Sequence, residues 1–259
     1  MSSLPGTQAL TRAFLLLRLI ARSAAGGLPL SELADAAGLA RPTAHRLLKL
    51  LTEEGMVEQD AASRRYRMGP LAFEFGLLAP RPTALVELCR PALKRVALET
   101  EDTAYLTMRS GIDGVCIDRI EGSHPIRALT IDVGGRRPLG VGATGLALLG
   151  ALPEDEAEAI LERNAGDYRR YGRLTEREVR ENLVEARQTG FGYSVERITL
   201  GVSGIGIVIP NLSGTPFVGI SVASITSRII GERQDFIEDV LKRESKALAR
   251  TLSSWPDPA

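Results

Sequence analysis

Arg41, Thr43, His45 and Arg46 fall within one short stretch, and Lys49 follows a turn later. A guanidinium can bond two acceptors on a guanine edge, and a threonine can touch a thymine methyl or a phosphate. Lys49 is placed for a phosphate, while His45 could equally cap or pack against a neighbouring helix. Arg64 and Arg65 form a second basic pair. Taken singly, each is an ordinary solvated cation. Grouped at one helix start and followed by an arginine-bearing hairpin, they point to double-stranded DNA, with phosphate contacts setting position and base contacts setting sequence.

The elements that must position them can be read from spacing. Leu10, Phe14, Leu17, Ile20 and Ala21 recur at helical intervals from Thr7 to Ala24. Gly26 and Gly27 stop that helix, and LSELADAAG forms a second with Leu33, Ala34 and Ala37 inward. After the turn GLARP, Pro42 suits the first turn of a third helix, where its missing N–H costs nothing. Leu47, Leu48, Leu50 and Leu51 are expected to face inward and Gly55 to end it. Met56–Glu58 and Tyr66–Met68 then read as hairpin arms around Asp60–Ser63. Three helices and a hairpin in this order make a winged helix-turn-helix, whose third helix presents its start to the major groove.

Composition sets wide bounds. The 259 residues carry 32 Lys or Arg against 32 Asp or Glu, so net charge does not announce a nucleic-acid binder. Residues 1–80 hold nine basic against seven acidic side chains, a weak asymmetry. Cys89 and Cys116, both in apolar settings, make neither a disulfide framework nor a metal site. The sequence shows no secretory leader and no apolar run long enough for a bilayer, so a cytoplasmic location without membrane contact is expected.

The stretch LPLSELADAAGLARPTAHRLLKLLTEEGMVEQD, followed by YRMGPLAFEFG, resembles the DNA-binding domain of the IclR family of bacterial transcriptional regulators. The resemblance continues through GGRRPLGVGATGLALL and GYSVERITLGVSGIGIVIPNLSGTPFVGISVAS. It implies a homodimer or homotetramer, an operator with inverted half-sites, and a small effector, an organic acid or aromatic metabolite. Residues 1–69 are expected to be the winged helix-turn-helix, 70–82 a linker helix, and 83–259 an effector-binding, oligomerising domain.

The larger domain reads as α+β, an antiparallel sheet with flanking helices. Leu85, Leu88, Leu93, Val96 and Leu98 lie on a helix that Pro91 could kink. TAYLTMR, GVCIDRIEG and PIRALTID are expected strands, as are three runs near 192–196, 202–210 and 217–224. Helices are expected between the two strand blocks and from Arg233 to Ser254. This agrees with the GAF-like or profilin-like fold that the resemblance implies.

Gly140, Gly142 and Gly145 spell G-x-G-x-x-G, but the acidic-ended second strand of a dinucleotide site is missing, because LPEDEAEAI is helical. Small residues opening a helix still leave N–H groups beside positive dipole charge, where a carboxylate can bind. The family resemblance puts the effector there. Carried over position by position, it gives Ala143, Thr144, Glu196, Gly204 in place of a common Cys, Ser221, Ala223 in place of a polar residue, and Ile126 as an apolar wall. Losing two polar groups implies a roomier, drier pocket. No nucleophile, acid–base pair or metal spacing stands out, so neither catalysis nor a cofactor is expected. The rival reading is an oligomeric small-molecule sensor whose winged helix contacts protein.

Overall fold

The computed structural model describes residues 7–23, 26–78, 80–172, 174–210 and 217–254. It divides into two compact units, Met1–Thr83 and Ala84–Ala259.

In the first unit, helix α1 (Gln8–Arg22) buries Leu16, Leu17, Leu19 and Ile20. The expected stripe is rotated: Leu10 and Phe14 are 59% and 53% exposed. Two hydrophobic faces were open to this leucine-rich helix, and packing took the one centred on Leu16 and Ile20. The expected end at Ala24 lies outside the described residues. Helix α2 (Leu30–Ala37) stops at Gly38, whose φ of 62° is the left-handed turn that glycine adopts without a Cβ clash. Helix α3 (Arg41–Glu53) buries Ala44, Leu47 and Leu48, with Leu51 partly covered. Leu50, expected inside, is exposed because the buried stripe 44–47–48–51 leaves it on the opposite side.

Strands β1 (Val57–Gln59) and β2 (Tyr66–Met68) pair antiparallel, and Leu28 bridges to Tyr66. Asp60 closes their turn by accepting from the Ser63 amide at 2.7 Å and the Ser63 hydroxyl at 2.6 Å. These bonds hold the Asp60 carboxyl below its ordinary range. Helix α4 (Pro70–Leu78) buries none of its residues and leaves Phe73, Phe75, Leu77 and Leu78 exposed.

The second unit is built on one antiparallel sheet. Its strands are β3 (Thr103–Ser110), β4 (Asp113–Ile120), β5 (Arg136–Pro138), β6 (Phe191–Val195), β7 (Val202–Val208) and β8 (Val218–Ile225). Their order is β5-β4-β3-β8-β7-β6. Helix α5 (Pro80–Thr100), continuous through Pro91, and helix α9 (Glu232–Thr251) share a core with Ala104, Leu106, Ile205, Ile220 and Val222 of the sheet. Leu88 and Leu98 lie off that face and are exposed. Helices α6 (Ala143–Gly150), α7 (Glu154–Tyr168) and α8 (Glu176–Thr189) form a second core around Leu149, Leu161, Tyr168 and Val179. Because strand side chains alternate between faces, Tyr105, Ser221, Ala223, Gly204 and Gly206 belong to the face opposite the α5–α9 core.

The segment PIRALTID is not a strand. Its amides serve local bonds instead, Leu129 N to Arg127 O and Thr130 N to the Tyr105 hydroxyl. Residues 134–138 take the free edge of β4, pairing Val115 with Arg136. Among the described residues no helix is long and apolar enough to cross a membrane.

Glu244 of α9 is 3% exposed and accepts from Arg95 at 2.7 Å and Arg243 at 3.3 Å. Burial pushes its carboxyl up, but the two arginines together outweigh burial and hold it below 4.5. A depressed carboxylate contributes stability that is complete above its unfolded value and is lost as pH falls through its folded value. Glu244→Gln is therefore expected to destabilise the protein by about 1–2 kcal/mol at pH 7. Thermal melts should show that difference shrinking below pH 4.5. A constant difference from pH 7 to pH 3 would contradict the assigned ion pair.

Candidate functional site

Two sites can be built from these elements, one in each unit. In the first, Arg41 opens α3 and Pro42 follows it, with no side chain capping the helix. Arg41, His45, Arg46 and Lys49 are exposed, and Thr43 is half-buried. Positions 41, 45, 46 and 49 share one face at helical spacing, opposite Ala44, Leu47 and Leu48. Lys49 lies 3.7 Å from Glu53, an exposed pair of little energetic weight. No ion pair forms at Arg41 or Arg46 among the described residues, so both guanidiniums are available.

The wing arginines differ. Arg64 is exposed, with a φ of 57°, and lines the same hollow as Arg41, His45 and Gln59. Arg65 turns inward and its Nη1 donates to the Gly27 carbonyl at 2.8 Å. That bond braces the wing against the segment before α2, so Arg65 does not extend with Arg64 as expected. The sequence reading also passed over Arg67, which lies 3.5 Å from Asp60 at the wing turn.

The second site is a hollow between the start of α6 and the open face of the sheet. It encloses about 660 Å³ of empty space, its solvent-facing mouth included. Its floor is the sheet face on which Tyr105 pairs with Ser221 and Ala223 with Gly204, and Gly206 beside Ser221 continues that face under α6. Helix α6 sits directly on this floor: a Cβ at Gly206 would lie 2.6 Å from the Thr144 amide nitrogen. Glycine is required there by close approach, not by a turn.

Five of the seven carried-over positions, Ala143, Thr144, Gly204, Ser221 and Ala223, line this cavity. Ile126 and Glu196 do not. Ile126 is 56% exposed on the segment after β4. Glu196 follows the end of β6, where its φ of 50° and its exposure take it off the strand that faces the hollow.

The cavity is also less dry than two lost polar positions imply. Ser194, Ser203, Thr130, Tyr105 and Arg137 supply hydroxyls and a guanidinium from positions other than the seven carried over. Tyr105 donates to Ala128 O at 2.6 Å and accepts from Thr130 N at 3.1 Å, which ties the covering segment to β3. Arg137 was missed in the sequence. Burial weakens its hold on its proton, and its Nη2 donates to the Thr130 carbonyl. The available signal was an arginine three residues before Gly140, the first glycine of the glycine-rich helix start. Cys116, also at the cavity wall, is a neutral thiol that burial pushes up to about 11.

Residues 81–253 match the family described as the bacterial transcriptional regulator IclR C-terminal domain, and residues 9–61 match the IclR helix-turn-helix domain. The HTH-type transcriptional regulator BhcR of Paracoccus denitrificans is 32% identical over 253 residues, covering 97% of this chain and 90% of that protein. An IclR transcriptional regulator from Alicyclobacillus acidocaldarius shares the fold, with a TM-score of 0.72 and 24% identity over 96% of this chain and 99% of its own. So does an IclR homolog from Microbacterium hydrocarbonoxydans complexed with 4-hydroxybenzoate, with a TM-score of 0.67 and 19% identity, over 94% of this chain and 99% of its own.

Proposed function

The chain belongs to the IclR family of bacterial transcriptional regulators, and from that premise we propose a specific division of labour along it. It is a DNA-binding regulator whose winged helix reads an operator under the control of a small molecule held in the second unit. Residues 1–69 carry the reading head, 70–82 connect, and 83–259 bind the effector and oligomerise.

The observation that carries this reading is that Arg41 and Arg46 stand exposed at one helix start with no ion pair among the described residues. Arg41 and Arg46 meet base edges, Thr43 and His45 support them, and Lys49 and Arg64 meet phosphate. Arg65 serves the same interface by bracing the wing. One head on one half-site binds weakly, so two heads act on inverted repeats. The exposed apolar residues Leu10 and Phe14 of α1 and Phe73, Phe75, Leu77 and Leu78 of α4 are suited to self-association into a homodimer or homotetramer. The protein works in the cytoplasm on a metabolic, catabolic operon.

The effector is an organic acid or an aromatic metabolite, in keeping with the mixed apolar and hydroxyl lining of the cavity and with the ligand bound by the Microbacterium homolog. Its leverage on the heads is limited to its differential affinity for the two states, about 1–3 kcal/mol. The test is to recover the operator by pull-down of genomic fragments with sequencing, then to titrate it against wild type and Ser221→Leu across a metabolite panel. Ser221 lines the cavity and is 8% exposed, so a leucine fills the space above it. Wild type should respond to at least one metabolite and the variant to none. If the variant keeps every response, the cavity is not the effector site.

A further inference from the structure

We propose that pH is a second input to operator binding, acting through His45, whose ring meets a backbone phosphate seated in the hollow between α2, α3 and the wing. The inference rests on the winged helix being the reading head and adds a regulator of it besides the effector. The hollow encloses about 760 Å³ of empty space, its mouth included. Ser31 from α2, Arg41 and His45 from α3, and Gln59, Arg64 and Tyr66 from the wing line it. No Asp or Glu is among its lining residues. Glu53 lies 3.7 Å from Lys49, and Asp60 is taken by Ser63 and Arg67. Glu32 on α2 and Glu58 on β1 are exposed outside the lining. The charged groups facing the ring are therefore cations: Arg41 and Lys49 one turn to either side on α3, Arg46 next in the chain, and Arg64 from the wing.

His45 is exposed and its ring makes no hydrogen bond or ion pair among the described residues, so neither nitrogen is committed to the fold. Histidine is the side chain whose charge changes between about pH 5 and pH 8. A neutral imidazole offers a phosphate one N–H. An imidazolium offers a full charge as well, and a charge-assisted hydrogen bond is about twice as strong. A phosphodiester entering the hollow brings the first negative charge to a ring surrounded by cations, so a proton is taken up as the DNA docks. By linkage, a complex that gains protons on forming is tightest at low pH and weakens as pH rises through the histidine range. The arginines stay charged throughout that range, as does the phosphodiester, so they add no pH dependence of their own. The chain has two histidines. The second, His124, belongs to the other unit, where its Nδ1 lies 2.9 Å from the Ile126 carbonyl oxygen.

The experiment uses the full-length protein, the operator duplex recovered by genomic pull-down, and a scrambled duplex of the same composition. Anisotropy titrations run from about pH 5.5 to about pH 8 at one fixed ionic strength, because affinity also falls steeply with salt. Wild-type affinity should fall by roughly 10- to 100-fold across that range with two heads on the duplex, or about 3- to 10-fold per head. The fall should appear on both duplexes, since a phosphate contact carries no sequence information. His45→Gln should flatten the profile near the wild-type affinity at the alkaline end. His45→Lys, a permanent cation, should flatten it near the wild-type affinity at the acid end. His124→Gln should keep the wild-type profile. If His45→Gln does not fold, as judged by circular dichroism at both ends of the range, His45→Lys and the wild-type profile decide. A flat wild-type profile, a fall that survives His45→Gln, affinity that rises with pH, or a pH dependence confined to the operator overturns the proposal. The two readings fail differently. Duplex bound with a flat profile leaves the winged helix as the reading head and removes the His45 switch. No duplex bound at any pH removes the reading head itself, and the switch with it.

Discussion

Arg46→Ala is expected to weaken operator binding by about 2–6 kcal/mol per dimer, since each half-site loses one bidentate base contact of roughly 1–3 kcal/mol. In an electrophoretic shift or anisotropy titration this is at least a ~30-fold loss. Thermal stability should be unchanged, because Arg46 is exposed and makes no side-chain hydrogen bond or ion pair among the described residues. The neighbouring variants should separate by mechanism. If Arg64 meets phosphate as proposed, Arg64→Ala should lower affinity evenly across operator sequences and flatten the salt dependence. For about six phosphate contacts per dimer the wild-type log–log slope is roughly −5, and losing Arg64 from both heads should bring it nearer −3. Arg65→Ala removes the brace to Gly27 instead, so affinity and melting temperature of the first unit should fall together. A slope near zero for wild type, or full operator affinity in Arg46→Ala, would remove α3 as the reading helix.

The contrast between those arginines marks how far the sequence can be read. The position of α3 and its polar start were legible because Leu47, Leu48 and Leu51 fix which face turns outward, even though Leu50, expected inside, is exposed and Ala44 takes its place. Arg64 and Arg65 looked equivalent because a hairpin tip has no periodicity to assign directions. Only the left-handed φ at Arg64 and the carbonyl of Gly27 distinguish them. In the second unit the antiparallel pairing of strands joined by short turns was legible, whereas the β3–β8 pairing that joins the two strand blocks carries no such signal. PIRALTID was misread because its branched residues look like a strand, whereas pairing depends on which neighbour reaches the β4 edge first, and residues 134–138 do. The cavity was half legible. Ala143, Thr144, Gly204, Ser221 and Ala223 lie on regular elements, so their positions transfer. Glu196 sits just past a strand end, and a single left-handed residue there turns it out to solvent. Arg137 precedes the glycine-rich start in a run of two arginines. Nothing in GGRR says which of them will find Asp113 and which will be left facing the hollow.

The glycines of the sheet allow the sharpest test of how the second site is assembled. Gly206→Ala adds a single carbon, which would lie 2.6 Å from the Thr144 amide nitrogen and 2.8 Å from the Ala143 carbonyl carbon. Both are backbone atoms, so no side chain can swing aside. Relief requires the first turn of α6 to lift from β7 by about 1 Å, a displacement costing about 3 kcal/mol at the upper end of overpacking. In a domain of this size that corresponds to a fall in melting temperature of roughly 6–12 °C. The lift also separates Thr144 from the row of Tyr105 and Ser221, so effector binding should fall with it, while operator binding measured below the transition persists because the first unit has its own core. Gly166→Ala in α7 is the matched control. Its added carbon meets nothing within 4 Å, and alanine in an exposed helix interior should stabilise by about 0.5–1 kcal/mol. The same chemical change should therefore have opposite signs at the two positions. If Gly206→Ala melts like wild type, α6 does not rest on β7 as closely as the cavity requires.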